Sequence, residues 1–284
     1  MANLSKAEWL QLEKKAVELR KLCVQTTVWA GSGHFGGGMS VMDLLTVLYH
    51  KYLNIKVEDP KWDDRDRFIL SKGHAAIAYA PVLCDKGFND VEMLKSFNLS
   101  GSKMGMHLDS NKVVGVDAST GSLGHGPSIA AGTALAARLQ NKDFLTYVVT
   151  GDGELGEGSC WEGFMTMNHY NLSNCIVFID RNHNMIDGNT EDVMKLEPLA
   201  DKMTAFGFNT IVVDGNNIGE LCDAIDVAIE RAKTPQAPTC ILMDTKKGAG
   251  IKSIEGDYTW HYGAIDDALF EKFNNELDAD YVAR

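Results

Sequence analysis

The sequence has few of the features that mark fibrous, disordered, secreted or membrane proteins. Of its 284 residues only 6 are proline and 45% are hydrophobic, which excludes collagen-like and disordered chains. Its 6 cysteines are widely spaced without a CxxC pair, which argues against a metal cluster or a disulfide framework. No apolar run approaches the roughly 20 residues of a transmembrane helix, and the start, MANLSKAEWLQLEKK, is not a signal peptide. We therefore expect a globular cytoplasmic protein that does not bind a membrane.

Positive charge is also scarce. The chain has 27 Lys and Arg against 39 Asp and Glu, a net charge of −12, and a pI near 5.1. Such a balance argues against a nucleic-acid partner, because the phosphate backbone would be repelled. An anionic ligand would need a locally favourable site.

The first helix is predicted from the capping-box pair Ser5 and Glu8 to about Ala30. A glycine-rich segment, GSGHFGGG at 31–38, is predicted as a loop, and Ser40 is predicted to cap a second helix.

Short apolar strands then alternate with helical segments. This order predicts one α/β domain over 1–284, with a doubly wound, mainly parallel sheet and helices on both faces. The predicted strands are DRFILS (66–71), FLTYVVTGDG (144–153), NCIVFIDRN (174–182), FNTIVVDG (208–215) and PTCILMDTK (238–246).

Glycines and polar residues follow two of these strands. Gly151 and Gly153 allow backbone N–H groups to approach an anion, and Asp152 between them offers oxygen ligands for a divalent cation. The next strand ends at Asn182, and a single βαβ crossover places the two strands side by side. We therefore expect Asp152 and Asn182 to share one cation, with phosphate oxygens and the Asn184 carbonyl as further ligands.

The pattern continues with an acidic residue at Glu157, one helix, and IDG from Ile186 to Gly188. In this multi-part motif the sequence resembles the thiamine-diphosphate enzymes. The segments GSGHFGG, LSKGHA and TWHYG are similar, position by position, to segments of the transketolase family. The resemblance extends from the first helix to about residue 265 and implies the thiamine-diphosphate-binding fold of the diphosphate-binding (PP) domain.

The resemblance implies a site for thiamine diphosphate with Mg²⁺, or Ca²⁺ or Mn²⁺ in its place. Imidazole can donate to a phosphate oxygen or exchange a proton with a substrate alkoxide, and apolar side chains can exclude water from a carbanion. The implied roles are His74, His261, Gly151, Gly153 and Glu154 at the diphosphate; Asp152, Asn182 and Asn184 at the metal; Gly121, Leu123 and Ile186 around the cofactor rings; and His34, His107 and His261 toward the reacting carbon and the sugar hydroxyls.

The remaining histidines differ in setting. His125 lies in a glycine-rich context like the four implied histidines, whereas His50, His169 and His183 are expected to have no functional role.

Some positions depart from the family pattern. Phe35 stands where a proline is usual, MGMHLD surrounds His107 in place of QGHPD, and Gly156 and His125 stand where glutamine is common. These differences leave open a substrate other than the ordinary pentose phosphates.

The resemblance also implies a partner. In transketolases a glutamate of a second, pyrimidine-binding domain activates the cofactor, and this sequence ends before such a domain. We therefore expect the N-terminal subunit of a split transketolase that transfers a two-carbon ketol unit between sugar phosphates. The pyrimidine-binding and C-terminal domains would lie on a separate chain in an α2β2 tetramer, with Glu157 as a candidate interface carboxylate that couples two sites.

Three alternatives remain open at the level of the sequence. One is a split transketolase specialised for a sulfonated or branched sugar. Another is the α chain of a 2-oxo-acid dehydrogenase E1, which should lack the LSKGHA and STGSLGHG segments found here. The third is a module that binds the cofactor without chemistry.

Overall fold

Five parallel strands form the centre of the molecule, in the order β1-β2-β3-β5-β4. The computed structural model describes residues 4–283, so both limits of the predicted domain, 1 and 284, lie outside the described part. All five predicted strands are present, each shorter than its sequence pattern by a residue or more at its ends. The strands are β1 Arg67–Leu70, β2 Thr146–Gly151, β3 Cys175–Arg181, β4 Asn209–Asp214 and β5 Thr239–Asp244.

The helices begin and end largely where the sequence signals them. The capping box of the first helix is formed, since the Ser5 hydroxyl accepts from the Glu8 amide and the Glu8 carboxylate accepts from the Ser5 amide. The helices are α1 Lys6–Ala30, α2 Phe35–Ser40, α3 Met42–Val47, α4 Ala76–Asp85, α5 His125–Leu139, α6 Gly158–His169, α7 Thr190–Val193, α8 Leu199–Ala205, α9 Ile218–Ala232 and α10 Asp267–Ala283. Within the described residues, no helix is both long and apolar enough to span a bilayer.

Alternate residues of each strand supply two separate cores, as the predicted doubly wound fold requires. Phe68 and Leu70 of β1 pack into one core with residues of α1–α4, α9 and α10. Ile69, between them, packs into the other core with residues of α5, α6 and α8. Helices therefore cover both faces of the sheet.

The prediction for residues 31–47 was wrong in part. The glycine-rich segment is not a loop throughout, because its second half forms α2, and Ser40 ends that helix instead of capping the next one. Glycines serve here for close packing: a Cβ on Gly36 would lie 2.7 Å from the Trp260 carbonyl oxygen. The Ser40 hydroxyl donates to Asp180 at 2.7 Å, a long-range contact that the local sequence does not indicate.

The sheet order sets the place of the site. The crossover β2-α6-β3 makes β2 and β3 neighbours, with Gly151 paired to Asp180. Strand β5 lies on the other side of β3, with Asp244 paired to Arg181. The carboxyl ends of β1, β2, β3 and β5 consequently meet at one edge, where ligands bind in open α/β sheets.

Candidate active site

A cavity of about 320 Å³ lies at this edge. Every site residue predicted from the sequence lines it except Glu157. They are His34, His74, His107, Gly121, Leu123, Gly151, Asp152, Gly153, Glu154, Asn182, Asn184, Ile186 and His261. A larger cleft of about 670 Å³ beside the ends of β4 and β5 contains none of these residues.

Asp152 is fixed in the turn after β2 and is only 1% exposed. Its Oδ1 accepts from the Gly153 amide at 2.8 Å, and its Oδ2 accepts from the His183 amide at 2.7 Å and from the Arg181 guanidinium at 3.1 Å. Burial, followed by the nearby Asp180 carboxylate, raises the Asp152 pKa above its usual range. The two loops that follow β2 and β3 are thus in direct contact, and a bound cation would favour the ionised carboxylate.

Amide oxygens complete the donor set beside Asp152. The Asn182 side chain donates to Asp180 at 3.2 Å and accepts from the Asn184 amide at 3.2 Å. The Asn184 Oδ1 is buried without a hydrogen-bond partner. In the part of the chain described, no three His, Cys, Asp or Glu side chains converge on a metal position. The side chains beside Asp152 offer carboxylate and amide oxygens, the hard ligand type that Mg²⁺ and Ca²⁺ prefer.

A buried ion pair behind the cavity holds these loops together. Asp180 accepts from the ammonium of Lys72 and from the hydroxyls of Ser40 and Thr245, and both members of the ion pair are at most 1% exposed. Lys72 also donates to the Gly37 carbonyl at 2.7 Å. Burial alone would raise the pKa of Asp180, because it disfavours the charged carboxylate. Lys72 and the hydrogen bonds outweigh that effect and keep the pKa below the usual range. The network links the ends of β1, β3 and β5 to the glycine-rich segment.

Four histidines come together above the loops. The ring centroids of His34 lie 5.2 Å from His74, 5.2 Å from His261 and 6.4 Å from His107. Burial, then His107 and Lys247, lowers the pKa of His34 to about 4, and burial, then Lys247 and His34, lowers that of His261 to about 3. Burial also lowers the pKa values of His74 and His107. All four imidazoles are consequently neutral near pH 7, and the His34 Nδ1 is buried without a partner.

Two backbone hydrogen bonds hold two of these histidines together. The Gly33 amide donates to the Gly263 carbonyl at 2.9 Å, and the Gly263 amide donates back at 3.0 Å. Gly33 directly precedes His34, and Gly263 lies two residues after His261. This pair of hydrogen bonds therefore holds the loops of the two histidines against each other.

Lys247 is a cavity residue that the sequence analysis missed. It follows β5, is 1% exposed, and donates to the Met185 carbonyl at 3.1 Å. Burial, then Lys72, lowers its pKa to about 8. Within KKG at 246–248 it resembles a surface lysine, and only its place directly after a buried strand distinguishes it.

The two predicted glutamates differ in position. Glu154 is 3% exposed, and its carboxylate accepts from the Ser71 hydroxyl, the Gly124 amide at 2.9 Å and the Gly151 amide at 3.0 Å. Its carboxylate therefore joins three loops of the protein. Glu157 is exposed at the start of α6 and lies outside the cavity.

The apolar predicted residues lie at the rim. Ile186 is 61% exposed, and Leu123 is half-buried. Gly121 approaches His107 closely, since a Cβ there would lie 3.1 Å from the imidazole. This rim is open to solvent in the single chain.

The histidines expected to have no role lie mostly elsewhere. His50 and His169 are outside the cavity, and so is His125, which is exposed at the start of α5. His183 is closer to the site than expected: besides its amide contact with Asp152, its ring pairs with Asp244 at 2.7 Å.

Comparison with known proteins gives the same assignment at each level. A family model described as transketolase, thiamine diphosphate binding domain, matches residues 12–281. The chain is 36% identical over 272 residues to a 6-deoxy-6-sulfo-D-fructose transketolase subunit of Clostridium sp. (strain MSTE9), covering 95% of this chain and 98% of that protein. It is 37% identical over 266 residues to an apulose-4-phosphate transketolase subunit of Phocaeicola vulgatus, covering 94% and 93% of the two chains.

A solved structure, the transketolase of Campylobacter jejuni, matches with a TM-score of 0.86 at 27% identity, covering 96% of this chain. The chain spans 45% of that protein's length. With the parallel sheet, the cavity at its carboxyl edge and the match over residues 12–281, the chain belongs to the transketolase family and corresponds to its thiamine diphosphate binding domain.

Proposed function

We propose that this chain is the diphosphate-binding subunit of a two-chain transketolase, which transfers a two-carbon ketol unit from a ketose to an aldose. The observation that carries the proposal is the single cavity that contains Asp152, Asn182 and four histidines at the carboxyl edge of the sheet. The two subunit-length relatives, of which 98% and 93% are matched, support a chain that acts with a partner.

The residues present suit thiamine diphosphate and a divalent cation. Asp152, the Asn182 amide oxygen and the Asn184 carbonyl would hold Mg²⁺, with the unpartnered Asn184 Oδ1 as an unused oxygen nearby. The Gly151 and Gly153 amides already donate to Glu154 and Asp152, so these glycines would offer the diphosphate space beside the backbone instead of the N–H donors expected from the sequence. The Glu154 carboxylate would keep this turn in place.

The histidines would bind and orient oxygen atoms of the ligands. His74 and His261, neutral at physiological pH, would each donate one N–H to the diphosphate. His34 and His107 would take up a proton from a substrate hydroxyl and return it.

When bound, the cofactor supplies a nucleophilic carbon and an electron sink for the two-carbon unit. The chain's own contribution at the rings is apolar. Gly121 would leave space for the aminopyrimidine, and Leu123 and Ile186 would pack on the rings and exclude water.

A partner chain would cover the open rim. The 61% exposed Ile186 at the mouth of the cavity is an apolar surface that a second subunit would bury. We propose an α2β2 assembly in which this partner carries the pyrimidine-binding domain, and Glu157, exposed at the start of α6, contacts it. The six free, buried cysteines suit the reducing cytoplasm as the compartment.

The substrate is proposed to be a ketose phosphate with an aldose phosphate acceptor, or a modified sugar. Two relatives act, by name, on a sulfonated fructose and on apulose 4-phosphate. The departure around His107, which lines the cavity, supports a modified sugar here, whereas Phe35 is fully buried in the core and does not line it. Assays of the reconstituted pair with pentose phosphate, sulfonated and branched donors will separate these substrates.

The proposal is tested by reconstitution. The purified chain alone should show no ketol transfer, and co-expression with the adjacent open reading frame should restore it. Full turnover by the isolated chain would contradict the two-chain proposal. Cofactor binding without ketol transfer from any donor would favour a non-catalytic module instead.

The metal site is tested by Asp152→Ala in the assembled enzyme. We expect metal-dependent cofactor binding to be lost in isothermal titration, with His169→Gln as a control outside the cavity. Cofactor affinity equal to that of the unsubstituted enzyme would refute the site.

A further inference from the structure

The hydrogen-bond chemistry of one lysine constrains a cavity histidine. The Lys247 ammonium nitrogen lies 3.2 Å from Nδ1 of His261, and both residues line the cavity. An ammonium group has three donors and no acceptor. In this contact His261 Nδ1 must therefore be the acceptor, and it cannot carry the proton.

We propose that Lys247 is a positioning residue that fixes the tautomer of His261, so that the imidazole proton stays on Nε2 and is available to a ligand in the cavity. The proposal rests on the proposed function for the identity of that ligand, an anionic diphosphate oxygen or a substrate oxygen. The tautomer itself follows from the protein alone.

The surroundings keep Lys247 in place as a donor. The side chain is 1% exposed, and a second donor position is used by the Met185 carbonyl at 3.1 Å. Burial, then Lys72, lowers the pKa of Lys247 to about 8, while the nearby Asp152 and Asp180 carboxylates oppose that shift, so the ammonium form predominates at pH 7.

His261 Nε2 is the free end of the ring. Among residues 4–283, no protein group hydrogen-bonds to this nitrogen, and the imidazoles of His34 and His74 are more than 5 Å away between centroids. The same ammonium disfavours a second proton on the ring. His261 is therefore a neutral group with a single N–H donor, and Lys247 determines which ring nitrogen carries the proton. Histidines in metal and catalytic sites are often oriented in the same way, by a hydrogen bond to their other ring nitrogen.

The test is ¹⁵N NMR of the full chain labelled at histidine, without cofactor and near pH 7. The His261 signals are assigned by their loss in His261→Gln. We expect the shift of an unprotonated nitrogen at Nδ1 and of a protonated nitrogen at Nε2. A protonated Nδ1 in the unsubstituted chain would overturn the proposal, whatever the variants do.

Variants separate positioning from a structural role. Lys247→Arg keeps a donor-only group and should keep the tautomer, whereas Lys247→Met should give a mixture of both tautomers. Lys252→Met, an exposed lysine, is the control. An unchanged tautomer in Lys247→Met would also overturn the proposal.

The functional readout uses the two-chain enzyme. Lys247→Met should weaken binding of magnesium thiamine diphosphate about tenfold, as expected for loss of one charge-assisted hydrogen bond, and Lys247→Arg should restore most of it. If neither the unsubstituted enzyme nor the variants bind the cofactor while the NMR result holds, the proposed function fails and the tautomer assignment stands. Equal affinity in Lys247→Met and in the unsubstituted enzyme would contradict the positioning role.

Discussion

Removing the lysine of the buried ion pair should be among the most destabilising single changes in this chain. In Lys72→Met the Asp180 carboxylate, which is fully buried, loses its only contact with a cation in the described network. The Gly37 carbonyl loses a donor at the same time. Breaking a buried pair in this way costs about 3–5 kcal/mol of unfolding free energy, which lowers Tm by roughly 5–8 °C for a chain of this size.

The sign of the pH dependence follows from Asp180. Its folded-state pKa is below the usual value of 3.8, so its contribution to stability is complete above that value and is lost as the pH falls further. The loss of stability in Lys72→Met should therefore be fully present at neutral pH. Urea unfolding followed by circular dichroism at pH 7 is the assay.

A second substitution tests the cause. Lys72→Met combined with Asp180→Asn removes both charges and should be more stable than Lys72→Met alone. Lys142→Met, which breaks a surface ion pair with Asp64, should cost much less stability than Lys72→Met, because solvent screens that pair. The reasoning is refuted if Lys72→Met costs no more than Lys142→Met, or if the double variant is less stable than the single one.

Three further outcomes are expected. The pKa of His261 is about 3 in the folded chain against 6.5 in the unfolded chain, so the unfolding free energy should fall as the pH is lowered from 6.5 toward 3. In His261→Gln this pH dependence, measured by urea unfolding, should decrease by up to ~1.4 kcal/mol per pH unit. An unchanged pH dependence would contradict the prediction. Arg181→Met, which leaves buried Asp152 without its cation, should cost about 3 kcal/mol and weaken metal-dependent cofactor binding, and a Tm within a degree of the original would exclude this role. Gly126→Ala places a Cβ 2.2 Å from a serine Oγ in the turn after β1 and should lower the unfolding free energy by ~1–3 kcal/mol. Gly132→Ala in the same helix has open space around its Cβ and should not be destabilising. Equal Tm values for the two variants would show that the turn moves aside without cost.

The sequence predicted the elements well because their signals are local. The capping box of α1, the span Ile218–Ala232 of α9 and the apolar strands all depend on residues within a few positions of one another. The prediction for 31–47 failed because packing against Trp260 and Asp180, far along the chain, makes the glycines helical and gives Ser40 another partner. No local pattern carries that information.

The part of the site formed by residues that directly follow strands was predictable from the sequence. Asp152 and Asn182 each come directly after or near the end of an apolar strand, and the crossover rule brings such ends together. Lys72, Asp180 and Lys247 were missed because a charged residue beside or within a strand resembles a solvent-facing one until its partner is known.

By itself the sequence determined the alternation of strands and helices and the residue types that can hold a phosphate and a cation, since periodicity and side-chain chemistry are encoded locally. Only the tertiary structure decided the order β1-β2-β3-β5-β4, the convergence of four histidines from separate loops, and the burial that makes them neutral. The physical reason is that burial and electrostatic coupling depend on groups distant in the chain, which become neighbours only when the sheet is assembled.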